Sequence, residues 1–400
     1  MVRLRAASAR AIVGFMVNGD VVVTWPAFEA DGPTTGALLT QAGLGIRLHP
    51  RTDNRTPEEL ADILGDAVGV IASTDPFDAS VFAACPNLRV IARTGVGVDA
   101  VDLDAATSAG VVVATTPGAN GEAVADHALA MILALQRRLS ENDAAIRDGR
   151  WDRAGTLTPS DLYGATIGLV GSGAIGRAVI RRLRAFGSSV IVHDPYLDIA
   201  PEGCELVDLD TLLTRSDVLT VHAPLTEGTR GLLGADQFAA MKRGAFVVNV
   251  SRGGILDEGA LADSIRSGHL AGAGLDTFGR EPIGESPLRE LPTVIMSPHI
   301  AGLSHRTIAD MTQQATRAVL DVLGGTLPAG AVNPDALNKQ ALNPGPCAGL
   351  DAAEEQRPLD FLNRFGDLDA AGTSIGAVEG GATAPHPLFI VQDFEALIEA

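Results

Sequence analysis

Only three cysteines occur in the 400 residues, Cys85, Cys204 and Cys347. They are too sparse for a disulfide framework and have no metal-ligand spacing, so no metal is expected. An odd, scattered set of thiols fits a reducing compartment, and a cytoplasmic protein is the expectation. Basic residues are also scarce: 30 stand against 49 acidic ones, a formal net charge of −19. A surface of that sign repels phosphate backbones and anionic lipid, which argues against nucleic acid and membrane as partners. An anionic small molecule would meet the same field, so its site must supply local positive charge. No uninterrupted apolar run reaches the roughly 18 residues that span a bilayer. Charged residues make up 20% and hydrophobic ones 46%, which excludes general disorder and leaves apolar material for two cores.

Domains of roughly 100–200 residues give two domains plus extra segments as the expectation. Residues 1–17 carry Arg3, Arg5 and Arg10 ahead of a short apolar stretch without a clear cleavage site. They read as a loose leader or as a start codon placed too early. Buried strands are expected at 21–24, 68–72, 88–92 and 111–114, and Pro117-Gly118 then breaks the pattern. A helix follows from about Glu122 to Leu139, then a polar stretch over 140–161. Further strands at 167–170, 190–193, 218–222, 245–250, 271–275 and 294–296 alternate with helical segments, the pattern of a doubly wound parallel α/β sheet. Ser304 caps a last helix, which Gly324-Gly325 stops. Residues 334–400 are rich in Ala, Gly, Pro and acidic residues and read as a mostly disordered tail, with only 386–398 of ordered character.

The sharpest motif is Gly171-Ser172-Gly173-Ala174-Ile175-Gly176. It follows an apolar strand, opens a helix, and is followed by a second strand ending at Asp194, the context of a dinucleotide-binding turn. Gly171 permits the tight turn, Gly173 lets the backbone approach a pyrophosphate, and Gly176 allows close helix–strand packing. The helix start at Ala174 and Ile175 offers N–H groups and a positive dipole end. Asp194, 18 residues after Gly176, is placed to accept from ribose hydroxyls and to repel the extra phosphate of NADP, so NAD is the expected cofactor; the bland reading is that it starts the turn at Pro195. Arg177 either reaches the pyrophosphate or stays solvated.

Ligands of open α/β sheets bind beyond the carboxyl ends of strands. That rule selects His222 and Pro224, Val250-Ser251-Arg252, Asp276 and His299. Arg252 offers the planar fork that holds a carboxylate. His299 titrates near neutrality, and Glu281 beside it would favour the protonated ring. Of the eight histidines, His49, His127, His269, His305 and His386 have no supporting context.

Taken together, the chain resembles the D-isomer-specific 2-hydroxyacid dehydrogenases over roughly residues 20–333. The likeness rests on the glycine motif with Asp194 and on Arg93-Thr94-Gly95-Val96-Gly97-Val98-Asp99. It rests too on Thr116-Pro117 with Ala123-Val124-Ala125-Asp126 (the family usually has Glu at that last place), Asn249 to Gly254, Gly274-Leu275-Asp276, Glu281-Pro282 and Ser297 to Gly302. The resemblance implies hydride transfer between NAD(H) and C2 of a small 2-hydroxy or 2-keto acid, with Arg252, Glu281 and His299 as the catalytic set. Val96 and Gly97 would lend backbone N–H groups to the substrate carboxylate. Asp276, Ala301 and Gly302 would lie near the nicotinamide. It also implies a Rossmann NAD-binding domain (117–297) inserted into a flavodoxin-like substrate domain (18–116 and 298–333), with the helix near 122–139 joining the two and helping to form a homodimer. Within the family the look is closest to phosphoglycerate dehydrogenases. However, Ala72 stands where those usually carry an arginine, and Asp75 would repel a phosphate. Glyoxylate or hydroxypyruvate reduction, and an NAD(H)-sensing corepressor-like role, remain as alternatives; Glu281, where formate oxidisers usually have Gln, speaks against formate.

Overall fold

The computed structural model describes residues 18–342, apart from 52, 53, 152, 154 and 156. The expected leader and the 386–398 segment lie outside the described residues. Two all-parallel sheets organise the chain. The first contains β1 (Gly19–Val23), β2 (Leu44–Leu48), β3 (Gly69–Ala72), β4 (Val90–Arg93) and β5 (Val112–Ala114), in the order β2-β1-β3-β4-β5. The second contains β6 (Thr166–Val170), β7 (Ser189–His193), β8 (Glu205–Leu206), β9 (Val218–Val221), β10 (Phe246–Asn249), β11 (Gly272–Leu275) and β12 (Val294–Met296), in the order β12-β11-β10-β9-β6-β7-β8.

The first order is that of flavodoxin-like sheets, and the second is the Rossmann order extended by one strand. Every residue of β3, β4, β9, β10 and β11 is buried. Parallel strands covered by helices on both faces need apolar side chains at successive positions, which is why these segments read as continuous apolar runs. Alternation still sorts them between layers: Val21 and Val23 enter one core, Val22 the other. Strand order reverses between β1 and β3 and again between β6 and β9, and each reversal opens a crevice at the carboxyl ends.

Two helices cross between the sheets. The Gly121–Gln136 helix leaves the first sheet and packs on the Ala174–Ala185 helix, β10 and β11, burying Val124, Ala128, Met131, Ile132 and Leu135. The His305–Leu323 helix returns, capped by Ser304, and lays Met311, Ala315, Val319 and Val322 onto the first sheet's core. The second sheet is therefore an insertion within the first unit.

The structure departs from the sequence reading in four places. β2 is an edge strand with only Leu44 buried, so its apolar signal is weak; β8 is two residues long. The first crossing helix stops at Gln136, where Arg138 takes a positive φ of 48°, and a second helix, Leu139–Arg147, occupies the expected polar stretch. That helix buries only Ala145 and carries the Arg138–Glu141 and Arg147–Asp143 ion pairs. Finally, the helix Asp335–Leu342 lies within the expected tail. Its Gln340 side chain donates to the carbonyls of Arg89 and Gly110 at 2.7 Å, a polar anchor that an apolar pattern does not reveal.

Candidate active site

The glycine turn sits at the β6/β9 reversal. Gly171 has φ +85°, and a Cβ there would press on the His222 carbonyl and the Ala223 backbone at about 3 Å. Gly176 lies against the Gly171 carbonyl, so a side chain would push the helix off the strand. A Cβ on Gly173 would meet nothing within 4 Å: the turn presents open space at the start of the Ala174–Ala185 helix, beside exposed Ala174 and partly buried Ile175. Two buried polar atoms, Ser172 Oγ in the turn and His222 Nδ1 at the end of the neighbouring β9, have no hydrogen-bond partner. An open backbone cradle with unsatisfied donors fits a pyrophosphate-bearing cofactor.

Asp194 makes the turn expected of it and also braces the glycine motif. One carboxylate oxygen accepts from the Ser172 N–H at 2.9 Å, bracing the glycine turn, and the other accepts from Tyr196 N–H at 3.1 Å within its own turn. Arg177 is exposed, as the solvated reading expects, and its Nε donates to the Ser172 carbonyl at 3.1 Å. Burial lowers the His222 imidazole to about 4, so the ring is neutral at physiological pH, with Nε2 2.9 Å from Thr220 Oγ1. Pro224, two residues on, is exposed.

The three residues expected to do chemistry gather at the cleft between the sheets. Buried Asn249 shapes the turn after β10: Oδ1 accepts from Ser251 N and Oγ, and Nδ2 donates to the Arg252 carbonyl. Val250 is buried beneath it. Gly253 packs so closely on the Phe278–Gly279 backbone that a Cβ would collide with it, which brings the Arg252 loop against the loop bearing Glu281. Glu281 Oε2 lies 2.7 Å from His299 Nδ1, and Oε1 accepts from Phe278 N–H at 3.0 Å. Burial pushes the Glu281 carboxyl upward, but His299, the Phe278 N–H and Arg252 outweigh it and hold it below the ordinary carboxylate value.

His299 adopts φ +53°, a left-handed conformation that costs a non-glycine residue on the order of 1–3 kcal/mol and persists only where the surroundings fix it. Asp276, fully buried, supplies that constraint: its carboxylate accepts from Ile300 N–H at 2.9 Å and Ala301 N–H at 2.8 Å, and its carbonyl accepts from His299 N–H at 2.8 Å. Gly302 follows, where a side chain would run into Asn120.

The first sheet contributes the opposite wall. Arg252 Nε lies 2.9 Å from Asp99 Oδ2, an ion pair across the cleft, and NH1 donates to the Ser251 carbonyl at 2.7 Å. The guanidinium lies where a Cβ on Gly97 would be. Among the described residues, neither the Val96 nor the Gly97 N–H donates a hydrogen bond. A cavity of about 300 Å³ opens beside His299 and Glu281, lined from the first sheet by Arg51, Asn54, Ser73 and Thr74. Arg51 bonds Thr74 Oγ1 and Asn54 Oδ1. Beneath the loop, Arg93 is buried, its guanidinium lowered by burial to about 10 and bonded to the Ser73 carbonyl.

Two sequence readings need correction. Asp75 does not face a ligand: it is fully buried, accepts from Thr24 Oγ1 at 2.5 Å and pairs with Arg55 at 3.2 Å. Its charge is thus spent inside the fold. His127 has supporting context after all, with Nε2 2.9 Å from Ser297 Oγ and 3.7 Å from Asp276 Oδ1. Sequence reasoning also missed Arg51 and Asn54, whereas Ser73 and Thr74 lie between two loop positions that it did weigh, Ala72 and Asp75. No local signal marks Arg51 and Asn54, because the residues they face across the cavity, Glu281 and His299, lie far along the chain.

An all-parallel Rossmann unit set into a flavodoxin-like unit, with an arginine, a glutamate and a histidine at their junction, defines a class of two-domain dinucleotide-dependent proteins. The signature described as "D-isomer specific 2-hydroxyacid dehydrogenase, NAD binding domain" matches residues 129–301. The D-3-phosphoglycerate dehydrogenase of Mycobacterium leprae is 43% identical over 344 residues, covering 84% of this chain and 62% of its own length. The chain thus spans about three fifths of that relative. The glyoxylate reductase of Korarchaeum cryptofilum is 41% identical over 267 residues, 65% of this chain and 80% of its own. The crystal structure of TT0316 protein from Thermus thermophilus superposes with a TM-score of 0.72 at 39% identity, covering 78% of this chain and 99% of its own. The chain belongs to the D-isomer-specific 2-hydroxyacid dehydrogenase family, and NAD is the cofactor of its matched domain.

Proposed function

We propose that the protein is an NAD-dependent oxidoreductase that interconverts a small 2-hydroxy acid and its 2-keto acid. The observation that carries this reading is the His299–Glu281 pair at 2.7 Å, set in a cleft with Arg252 and two undonated backbone N–H groups. The substrate domain is taken as 18–116 with 298–333 and the NAD-binding domain as 117–297. The glycine turn and Asp194 would hold NADH, which supplies the hydride when bound.

The chain's own residues account for the rest. Arg252 and the N–H groups of Val96 and Gly97 grip the substrate carboxylate, which fixes C2 and supplies the positive charge that an acidic surface withholds. Protonated His299 donates to the C2 oxygen in reduction, and the neutral ring takes the proton in oxidation. Glu281 keeps the ring oriented and compensates its charge. The Arg252–Asp99 pair joins loops of both domains, so the clamp is complete only when the cleft is closed and water is excluded.

Arg51, Asn54, Ser73 and Thr74 make the wall beyond C2 polar and cationic, which suits a polar or anionic substituent there over a long apolar chain. With Asp75 turned inward, phosphorylated C3 acids stand beside glyoxylate and hydroxypyruvate as candidates. Oxidation of NADH by purified protein with glyoxylate, hydroxypyruvate, phosphohydroxypyruvate and 2-ketoisocaproate tests this. Turnover favouring a polar three-carbon acid is expected; no turnover with any, alongside an NADH-dependent protein partner, would replace the enzyme with a sensor. A homodimer is the proposed assembly, supported by exposed Leu139, Ile146 and Trp151, and light scattering checks it.

A further inference from the structure

Asp276 is a buried carboxylate with no lysine or arginine paired to it among the described residues; the ionisable side chain beside it is His127. Three donors fill its oxygens: Ile300 N–H and Ala301 N–H, and Ser297 Oγ at 2.5 Å. The Ser297 hydroxyl has one proton, and a carboxylate only accepts, so that proton points to Asp276. Ser297 Oγ must then accept from its other neighbour, which makes His127 Nε2 the N–H donor at 2.9 Å. The donors run from His127 through Ser297 to Asp276, where they converge with the two backbone N–H groups that follow His299 and also donate to that carboxylate.

The location gives the chain its meaning. His127 lies on the Gly121–Gln136 helix, the outgoing crossing from the first sheet, while Ser297 to Gly302 form the start of the returning crossing. His299 sits between them in its left-handed conformation. We propose that His127 and Ser297 are positioning residues for His299, a hydrogen-bond relay that holds the His299 turn through Asp276 and fastens it to the outgoing helix. The inference rests on reading His299 as the acid–base group, although the relay itself is a matter of structure.

Full-length Ser297→Ala, Ser297→Thr, His127→Leu and His127→Gln are compared with wild type, with His299→Ala as control. The measurements are amide hydrogen exchange of the 297–303 segment, thermal midpoint, NADH affinity by fluorescence, and kcat and KM with hydroxypyruvate. Loss of one buried hydrogen bond predicts about tenfold faster exchange in that segment for Ser297→Ala and His127→Leu. It also predicts about tenfold lower kcat, with NADH affinity and KM within about twofold. Thr restores the hydroxyl and Gln restores an N–H donor, so both should return exchange and kcat toward wild type. Unchanged local exchange in Ser297→Ala and His127→Leu overturns the relay. So does a fall in midpoint with faster exchange throughout the chain that Thr and Gln fail to rescue. If exchange follows the relay but His299→Ala is fully active, the acid–base reading of His299 falls and the relay stands.

Discussion

The two walls of the cleft present their groups by different means. The second sheet offers one contiguous stretch, Gly171 to Asp194, in which the ligand-facing groups are mostly backbone: an open turn at Gly173, a helix start, and a carboxylate bracing the turn through Ser172 N–H. The first sheet offers groups from separate loops: the side chains of Arg51 and Asn54 after β2 and of Ser73 and Thr74 after β3, and the backbone and Asp99 of the Val96 to Asp99 loop after β4. A pyrophosphate can be met by a single rigid backbone turn. A small acid has to be distinguished by its substituent, and that takes several independently placed side chains. The residues that join the walls, His299, Glu281 and Arg252, lie on loops that follow strands of the second sheet.

The sharpest way to break this division is at the junction. His299→Ala should reduce turnover about a hundredfold or more while NADH affinity is retained, as followed by stopped-flow absorbance and fluorescence titration. An unaffected rate would take His299 out of the chemistry. On the substrate wall, Gly97→Ala drives a Cβ into the Arg252 guanidinium, and Asp99→Ala releases its Nε. Each should raise KM for the keto acid on the order of tenfold, with NADH binding unchanged. Weakened NADH binding instead would show that the walls are not separable.

On the cofactor wall, Asp194→Ala should reduce the preference for NADH over NADPH by roughly tenfold, read from the two kcat/KM values. A constant ratio would limit Asp194 to bracing the turn. A last effect, on stability and not on turnover, concerns His222, whose folded value of about 4 lies below the ordinary histidine value. In the unfolded chain the ring gains a proton near pH 6.5, and in the folded chain only near 4. Stability of the apoprotein should therefore fall as pH drops from about 6.5 to about 4, by at most about 3 kcal/mol and less where water reaches the ring. Urea midpoints against pH measure it, and His222→Gln should flatten the curve.

Legibility in the sequence follows burial and locality. β3, β4, β9, β10 and β11 are visible because both their faces are covered, whereas β2, open on one side, is not. The Leu139–Arg147 helix escapes a periodicity reading because ion pairs stand in place of an apolar stripe, and the short Asp335–Leu342 helix because it buries little more than Ala336 and Leu337 beside the Gln340 anchor. Within the site, Arg252 and His299 can be named from strand ends, and Glu281 as the carboxylate that suits His299, a set the family resemblance also implies. Asp75 misleads because its side-chain direction, inward to Arg55 and Thr24, depends on residues far from it in the chain.

By itself the sequence determined the alternating α/β plan, the dinucleotide turn and the chemical kinds of group at the strand ends. These follow from periodicity and from short-range backbone geometry, where neighbours in the chain are neighbours in space. Only the tertiary structure decided that Asp99 meets Arg252, that Arg51 faces Glu281 and His299, and that His127 reaches Ser297. The His127–Ser297 contact joins residues 170 positions apart and the Asp99–Arg252 contact residues 153 apart. Hydrogen bonding acts over a few ångströms of space irrespective of distance along the chain.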